Sequence, residues 1–243
     1  MTTIFSRDKF RWFAAETLVV VLGILIALSL DEYMSERQDR VTEIEYVKRL
    51  HGTVNADLRY VENLWIPGLR AKRNALEAVL PVVHGHQPVP DDVATFFKNV
   101  SMGGIGSATR QSWIADNVFR ALVSTGNLRL INDPELRVEI SRYYGYTDYM
   151  FERLRGRHTG YVAYVHSFLP AELRDDVDLA AYESFGIDFA VSRIMSDEFR
   201  GLANAEYNAL LFSESLDFGG RANFLIEQLE QYLTGLGEQP DNH

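Results

Sequence analysis

The hydrophobic positions of this chain open as a solid block and then settle into a helical rhythm. From Phe13 to Leu30 the only ionisable residue is Glu16, and the aromatic side chains of Trp12 and Tyr33 flank the run. Trp12 and Tyr33 stand 21 positions apart, about 31 Å along a helix rising 1.5 Å per residue. That length matches the roughly 30 Å hydrocarbon core of a bilayer, and aromatics at both ends suit its two interfaces. The pattern predicts a transmembrane helix over residues 13–33, preceded by a basic segment, 1–12, with Trp12 and Tyr33 as interface anchors. A signal peptide cleaved near Ala27-Leu28-Ser29, or a buried core helix, is the competing reading of the same run.

Beyond the block, Ser35-Glu36-Arg37-Gln38-Asp39-Arg40 contains neither an apolar side chain nor a breaker. It reads as a helical stalk over 34–40. Val41, Ile44, Val47, Leu50, Val54, Leu58, Val61 and Trp65 then recur in steps of three and four, which places them on one helical stripe. Pro67-Gly68 is expected to end that helix, and a second should run to about Val83. The loop His84-Gly85-His86-Gln87-Pro88-Val89-Pro90 leads to Asp91 and Asp92, which should start a short helix through Val100. A glycine-rich loop follows, then a helix over about 110–125 that Gly126 stops. Asn132-Asp133-Pro134 starts the next in cap-then-proline order. That tyrosine-bearing helix carries Leu136, Ile140, Tyr143, Tyr144, Tyr149, Phe151 and Leu154, with an extension through Tyr161, Tyr164 and Phe168 to Pro170 left open. Short helices and turns are expected over 171–200. A final helix should cover 202–235, with an interruption conceivable at Gly219-Gly220, and a frayed tail over 237–243. No alternating strand pattern competes. The predicted class is all-α: an N-terminal transmembrane helix continuing into a membrane-anchored helical bundle, with residues 41–236 as its soluble domain.

Composition narrows the partners. The chain has 243 residues, 47% of them apolar, and a net charge of −10, which suits a folded domain and not a disordered one. Residues 1–40 hold five Lys/Arg against six Asp/Glu, so nearly all the negative charge lies beyond residue 40. An acidic body disfavours nucleic acid, whose phosphates need clustered Lys/Arg. The lipid bilayer and other membrane proteins, or further copies of this chain, are the expected partners. The absence of cysteine removes disulfides, thiolate nucleophiles and Cys-based zinc sites. Arg7, Lys9 and Arg11 precede the span, against Arg37 and Arg40 after it. The positive-inside rule therefore favours a cytoplasmic N-terminus in a bacterial inner membrane, with the body in the periplasm.

Within the span, Glu16, Val20, Gly23, Ala27 and Asp31 recur at helical spacing and form one face. Gly23-x-x-x-Ala27 is a small-xxx-small pair that permits close helix approach. On that face Glu16 would meet a neighbouring helix, where intramembrane acids tend to be functional. The plainer reading is an interfacial acid near the helix N-terminus, favoured there by the macrodipole.

The run Glu16-Thr17-Leu18-Val19-Val20-Val21-Leu22-Gly23-Ile24-Leu25-Ile26-Ala27-Leu28 resembles the N-terminus of an uncharacterised bacterial family of single-pass membrane proteins, a domain of unknown function. Ser124-Thr125-Gly126-Asn127-Leu128-Arg129-Leu130-Ile131-Asn132, followed by Leu136 and Tyr143-Tyr144, is similar to that family's S-x-G-x-L-x-x-I segment and tyrosine-bearing helix. The exit Leu28-Ser29-Leu30-Asp31-Glu32-Tyr33 departs from the Gln/Asn/Trp-rich exit of the family. The resemblance implies topology and fold; the family brings no assigned activity and no catalytic residues.

The remaining candidates are weaker. Gly103, Gly104 and Gly106 lack the lysine and Ser/Thr of a phosphate-binding loop, which makes a flexible connection the better reading. His84 and His86, with Asp91 and Asp92, lack the i, i+4 spacing of helical metal pairs, and no metal or cofactor is expected. Tyr143, Tyr144 and His158 are candidates for a ligand pocket between helices, set against the usual role of such aromatics as core. No catalytic residue can be named. A non-enzymatic protein that self-associates or docks with membrane proteins leads. A homo-oligomeric pore or sensor using Glu16, and a membrane-tethered ligand-binding protein or enzyme, stand as alternatives.

Overall fold

A computed structural model describes residues 7–104, 114–169 and 186–239, and among them every regular element is helical. Residues 1–6, Gly106 and the start proposed near residue 110 lie outside the described residues. So do 170–185, which hold Pro170 and much of the expected short-helix region, and the tail from residue 240. The side chains of Arg7, Lys9 and Arg11 are likewise outside them.

Helix α1 runs without interruption from Arg7 to Tyr60, 54 residues or about 81 Å. It therefore contains the apolar block, the charged stalk and the amphipathic stripe in a single rod. At Val61–Trp65 the winding loosens to a π turn, where the N–H of Ile66 reaches back to the carbonyl of Val61. Helix α2, Ile66–Val83, follows directly. The expectation that Pro67-Gly68 ends the helix is thus corrected. Proline is harmless in the first turn of a helix, and the π turn just before it supplies the local slack that an interior proline demands.

The other elements fold back on this spine. They are α3, Val93–Met102; α4, Asn117–Ser124; a 3-10 turn, Asn127–Leu130; α5, Pro134–Arg155; α6, Tyr161–His166; α7, Ile187–Ile194; α8, Asp197–Glu214; and α9, Phe218–Gly235. Several boundaries follow local chemistry already visible in the sequence. Asp92 accepts from the N–H of Thr95 and starts α3, and Asp133 does the same for α5 ahead of Pro134. Gly126 takes a left-handed φ of 73° after α4. Others differ. Residues 114–116 are not helical, because Asp57 holds the N–H of Ala115 at 3.1 Å, so α4 begins only at Asn117. The tyrosine-bearing helix stops at Arg155, and α6 is a separate piece after Gly160. The final helix breaks at Ser215–Asp217 and not at the glycines. Asp217 accepts from the N–H of Gly220, so Gly219 and Gly220 form the first turn of α9.

The spine divides the interior into two cores. Val47, Leu50 and Val54 of α1 and Val61 of the π turn pack with α4, α5 and α9 around Ile140, Phe218 and Leu229. Leu76, Val79, Val82 and Val83 of α2 pack with α3, α6, α7 and α8 around Phe97, Tyr161 and Phe199. Val41, expected to head the stripe, is exposed, and among the described side chains of α1 the first that is buried is Glu43.

Candidate functional site

The expected association face stands clear of the rest of the molecule. Glu16, Val20, Gly23, Ala27 and Asp31 are exposed, as are Trp12 and Tyr33. A side chain built on Gly23 would meet nothing within 4 Å. The helix is long and apolar enough to cross a membrane, and the 18-residue apolar window that would do so is wholly uncovered. A core helix of a soluble fold of the same composition would be covered.

The three residues expected to line a pocket at the tyrosine helix are not brought together. Tyr143 and Tyr144 are buried in the first core, whereas His158 is exposed in the link after α5. What the tyrosines meet is Asp57 of α1, which the sequence reading missed. The Tyr143 hydroxyl lies 3.5 Å from Asp57 Oδ2, while Oδ1 accepts from Ala115. Burial pushes the Asp57 carboxyl up to about 6, against the lowering pull of those two donors. Burial and the nearby acid also raise both tyrosine hydroxyls above their ordinary range. Tyr144 stacks on Phe119 with ring centroids 4.5 Å apart, and its hydroxyl finds no partner among the described residues. The arrangement fixes α1, α4 and α5 together, and Tyr143 also lines a groove of about 300 Å³ with Arg142, Asp217, Arg221 and Leu225.

Similar polar ties occur along the whole spine. Glu43 Oε1 accepts from the backbone N–H of Asn132 at 2.7 Å and from the Tyr232 hydroxyl, and Oε2 accepts from Arg40 at 2.7 Å. His51 Nε2 lies 3.0 Å from Glu230 of α9. In the second core, buried Lys72 pairs with buried Glu206, which also accepts from the Thr159 hydroxyl. A polar residue on an amphipathic stripe gives no sign in sequence of whether its partner is water or a distant helix, so none of these was anticipated.

The other candidates resolve simply. Gly103 and Gly104 are close-packed and not a slack link: a Cβ on Gly103 would sit 2.6 Å from Tyr161 Oη and 2.8 Å from Leu76 Cδ2. His84 stacks on His86 and lies 3.1 Å from Asn204 Oδ1. Among the described residues no group of three or more His, Asp or Glu converges as a metal site would require.

Comparison with family models, curated proteins and solved structures finds no significant match to the chain. The reading of function therefore rests on the residues and their geometry.

Proposed function

We propose that the chain is a single-pass membrane protein, non-enzymatic, that self-associates or docks with other membrane proteins through its span. The observation carrying this reading is the wholly uncovered apolar window on α1, on a helix that continues unbroken into the first core. Water does not tolerate such a rod, and no described residue shields it. The face from Glu16 to Asp31 is the contact surface, with Gly23 and Ala27 permitting close approach. The N-terminus lies in the cytoplasm and the bundle in the periplasm, following the Lys/Arg bias.

The test is the oligomeric state and co-purifying partners of the full chain in detergent. Wild type should form a defined homo- or hetero-complex, and Gly23→Leu should weaken it without changing helicity. Glu16→Gln keeps the size and removes the charge, so loss of assembly would place Glu16 against a neighbour. Equal assembly of all three proteins would mean that this face looks at lipid. Protease added to intact spheroplasts should remove the bundle; full protection until lysis would reverse the orientation.

A further inference from the structure

Where the apolar helix meets the bundle, a groove of about 570 Å³ opens between α1 and the 3-10 turn. Glu36, Asp39, Arg40 and Glu43 line one side, and Arg129 and Asn132 the other. The walls are held in place from within. Glu43 is 1% exposed, and its carboxylate takes the N–H of Asn132, the Tyr232 hydroxyl and Arg40. The turn bearing Arg129 is thereby pinned against α1, with Asn127 also donating to the Tyr46 hydroxyl at 3.3 Å. Glu36, Asp39 and Arg129 are exposed, and none of them makes an ion pair among the described residues.

The height of the groove is set by the helix. Counting from Tyr33, Glu36 to Arg40 lie about 4.5 to 10.5 Å further along the axis. The polar layer on each side of a bilayer's hydrocarbon core is about 5–8 Å thick. The mouth of the groove at Glu36 and Asp39 therefore lies at about the level of lipid headgroups, and its far end at Glu43 stands about 15 Å from Tyr33, above that layer. Its charges are mixed: Arg40 and Glu43 neutralise each other, which leaves the Arg129 guanidinium facing two carboxylates, Glu36 and Asp39, three residues apart on one face of α1. A guanidinium favours a phosphodiester, and a carboxylate favours a cation that can donate hydrogen bonds. A quaternary ammonium cannot donate, and a purely anionic headgroup would be repelled by Glu36 and Asp39.

We propose that this groove binds the headgroup of a phospholipid carrying both a phosphodiester and a primary ammonium. The proposal rests on the membrane-anchored reading above. To test it, the full chain is reconstituted in nanodiscs of mixed phosphatidylethanolamine and phosphatidylcholine, and the lipids it retains after gentle detergent release are identified by native mass spectrometry. Wild type should retain phosphatidylethanolamine over phosphatidylcholine by about threefold or more, the scale of one or two exposed charge pairs. The double variant Glu36→Gln/Asp39→Asn should lose the preference, whereas Arg129→Gln should lower retention of both lipids together. Arg37→Gln, on the same turn but outside the groove, should keep it. Glycerophosphoethanolamine should compete and inorganic phosphate should not. Equal retention of the two lipids by wild type, a preference that survives the Glu36/Asp39 double variant, unchanged retention in Arg129→Gln, or displacement by phosphate alone would overturn the proposal. A chain that stays soluble without detergent and never enters the nanodisc would instead overturn the anchor itself, a separate failure.

Discussion

Single residues of this fold carry more than their types suggest. Asp57 is the clearest. Its carboxyl titrates near 6 when folded, against 3.8 as the ordinary value, because burial outweighs its two donors. A raised acid binds more protons in the folded state, so its contribution to stability is complete below about pH 4 and is lost as pH rises through 6. Asp57→Asn keeps an acceptor for Ala115 and removes the charge. The variant should therefore gain on wild type between pH 4 and pH 7 by about 1–2 kcal/mol, a figure reduced for solvent screening. Melting curves of both proteins across that range check the sign; a gain in the opposite direction would mean that the donors dominate. Glycine positions divide equally sharply. Gly103→Ala should cost about 1–3 kcal/mol by overpacking Tyr161, which is fully buried and donates to the Val100 carbonyl. Gly52→Ala, exposed in mid-helix with nothing within 4 Å, should instead stabilise by about 0.5–1 kcal/mol. Denaturant midpoints of the two variants separate crowding from backbone freedom.

At the scale of elements, the buried pair of Lys72 and Glu206 ties α2 to α8 across 134 positions of sequence. Lys72→Met alone strands a buried carboxylate and should cost about 3–5 kcal/mol. The double variant Lys72→Met/Glu206→Leu should recover most of that loss, as measured in a double-mutant cycle by chemical denaturation. A double variant as unstable as the single one would show that the site needs charge and not merely filling. The same elements mark what the sequence could reveal. The stripe from Ile44 to Trp65, the left-handed Gly126 and the Asp133-Pro134 start were legible because each is a local rule. The continuation through Pro67 was not, since the π turn that accommodates it leaves no residue signature. The break after Arg155 and the pairing of Asp57 with Tyr143 depend on which helices pack together, and a linear pattern does not contain that information. Of the expected site residues, the exposed span face was visible as periodicity, whereas the tyrosines proved to be core and His158 stands apart from them.

At the scale of the whole molecule, the bundle encloses its own interior from Ile44 onward, and the uncovered apolar surface is concentrated before Tyr33. A chain begun at Ser35 retains Arg40, and with it the ion pair to Glu43. It should remain dissolved without detergent as a helical monomer, by circular dichroism and sedimentation. Aggregation of that shortened protein, with full-length protein well behaved in detergent, would reveal a second contact surface on the bundle.

The unbroken course of α1 also makes the molecule a lever. From Tyr33 to Tyr60 the same rod extends for about 40 Å, so whatever sets the inclination of its apolar end sets the position of everything fastened above. With that end held in a bilayer, a tilt of about 20°, typical of spanning helices, carries the Tyr60 level sideways by about 14 Å. Bilayer thickness or a neighbouring helix would thus be converted directly into displacement of the bundle, with no hinge in between to absorb it.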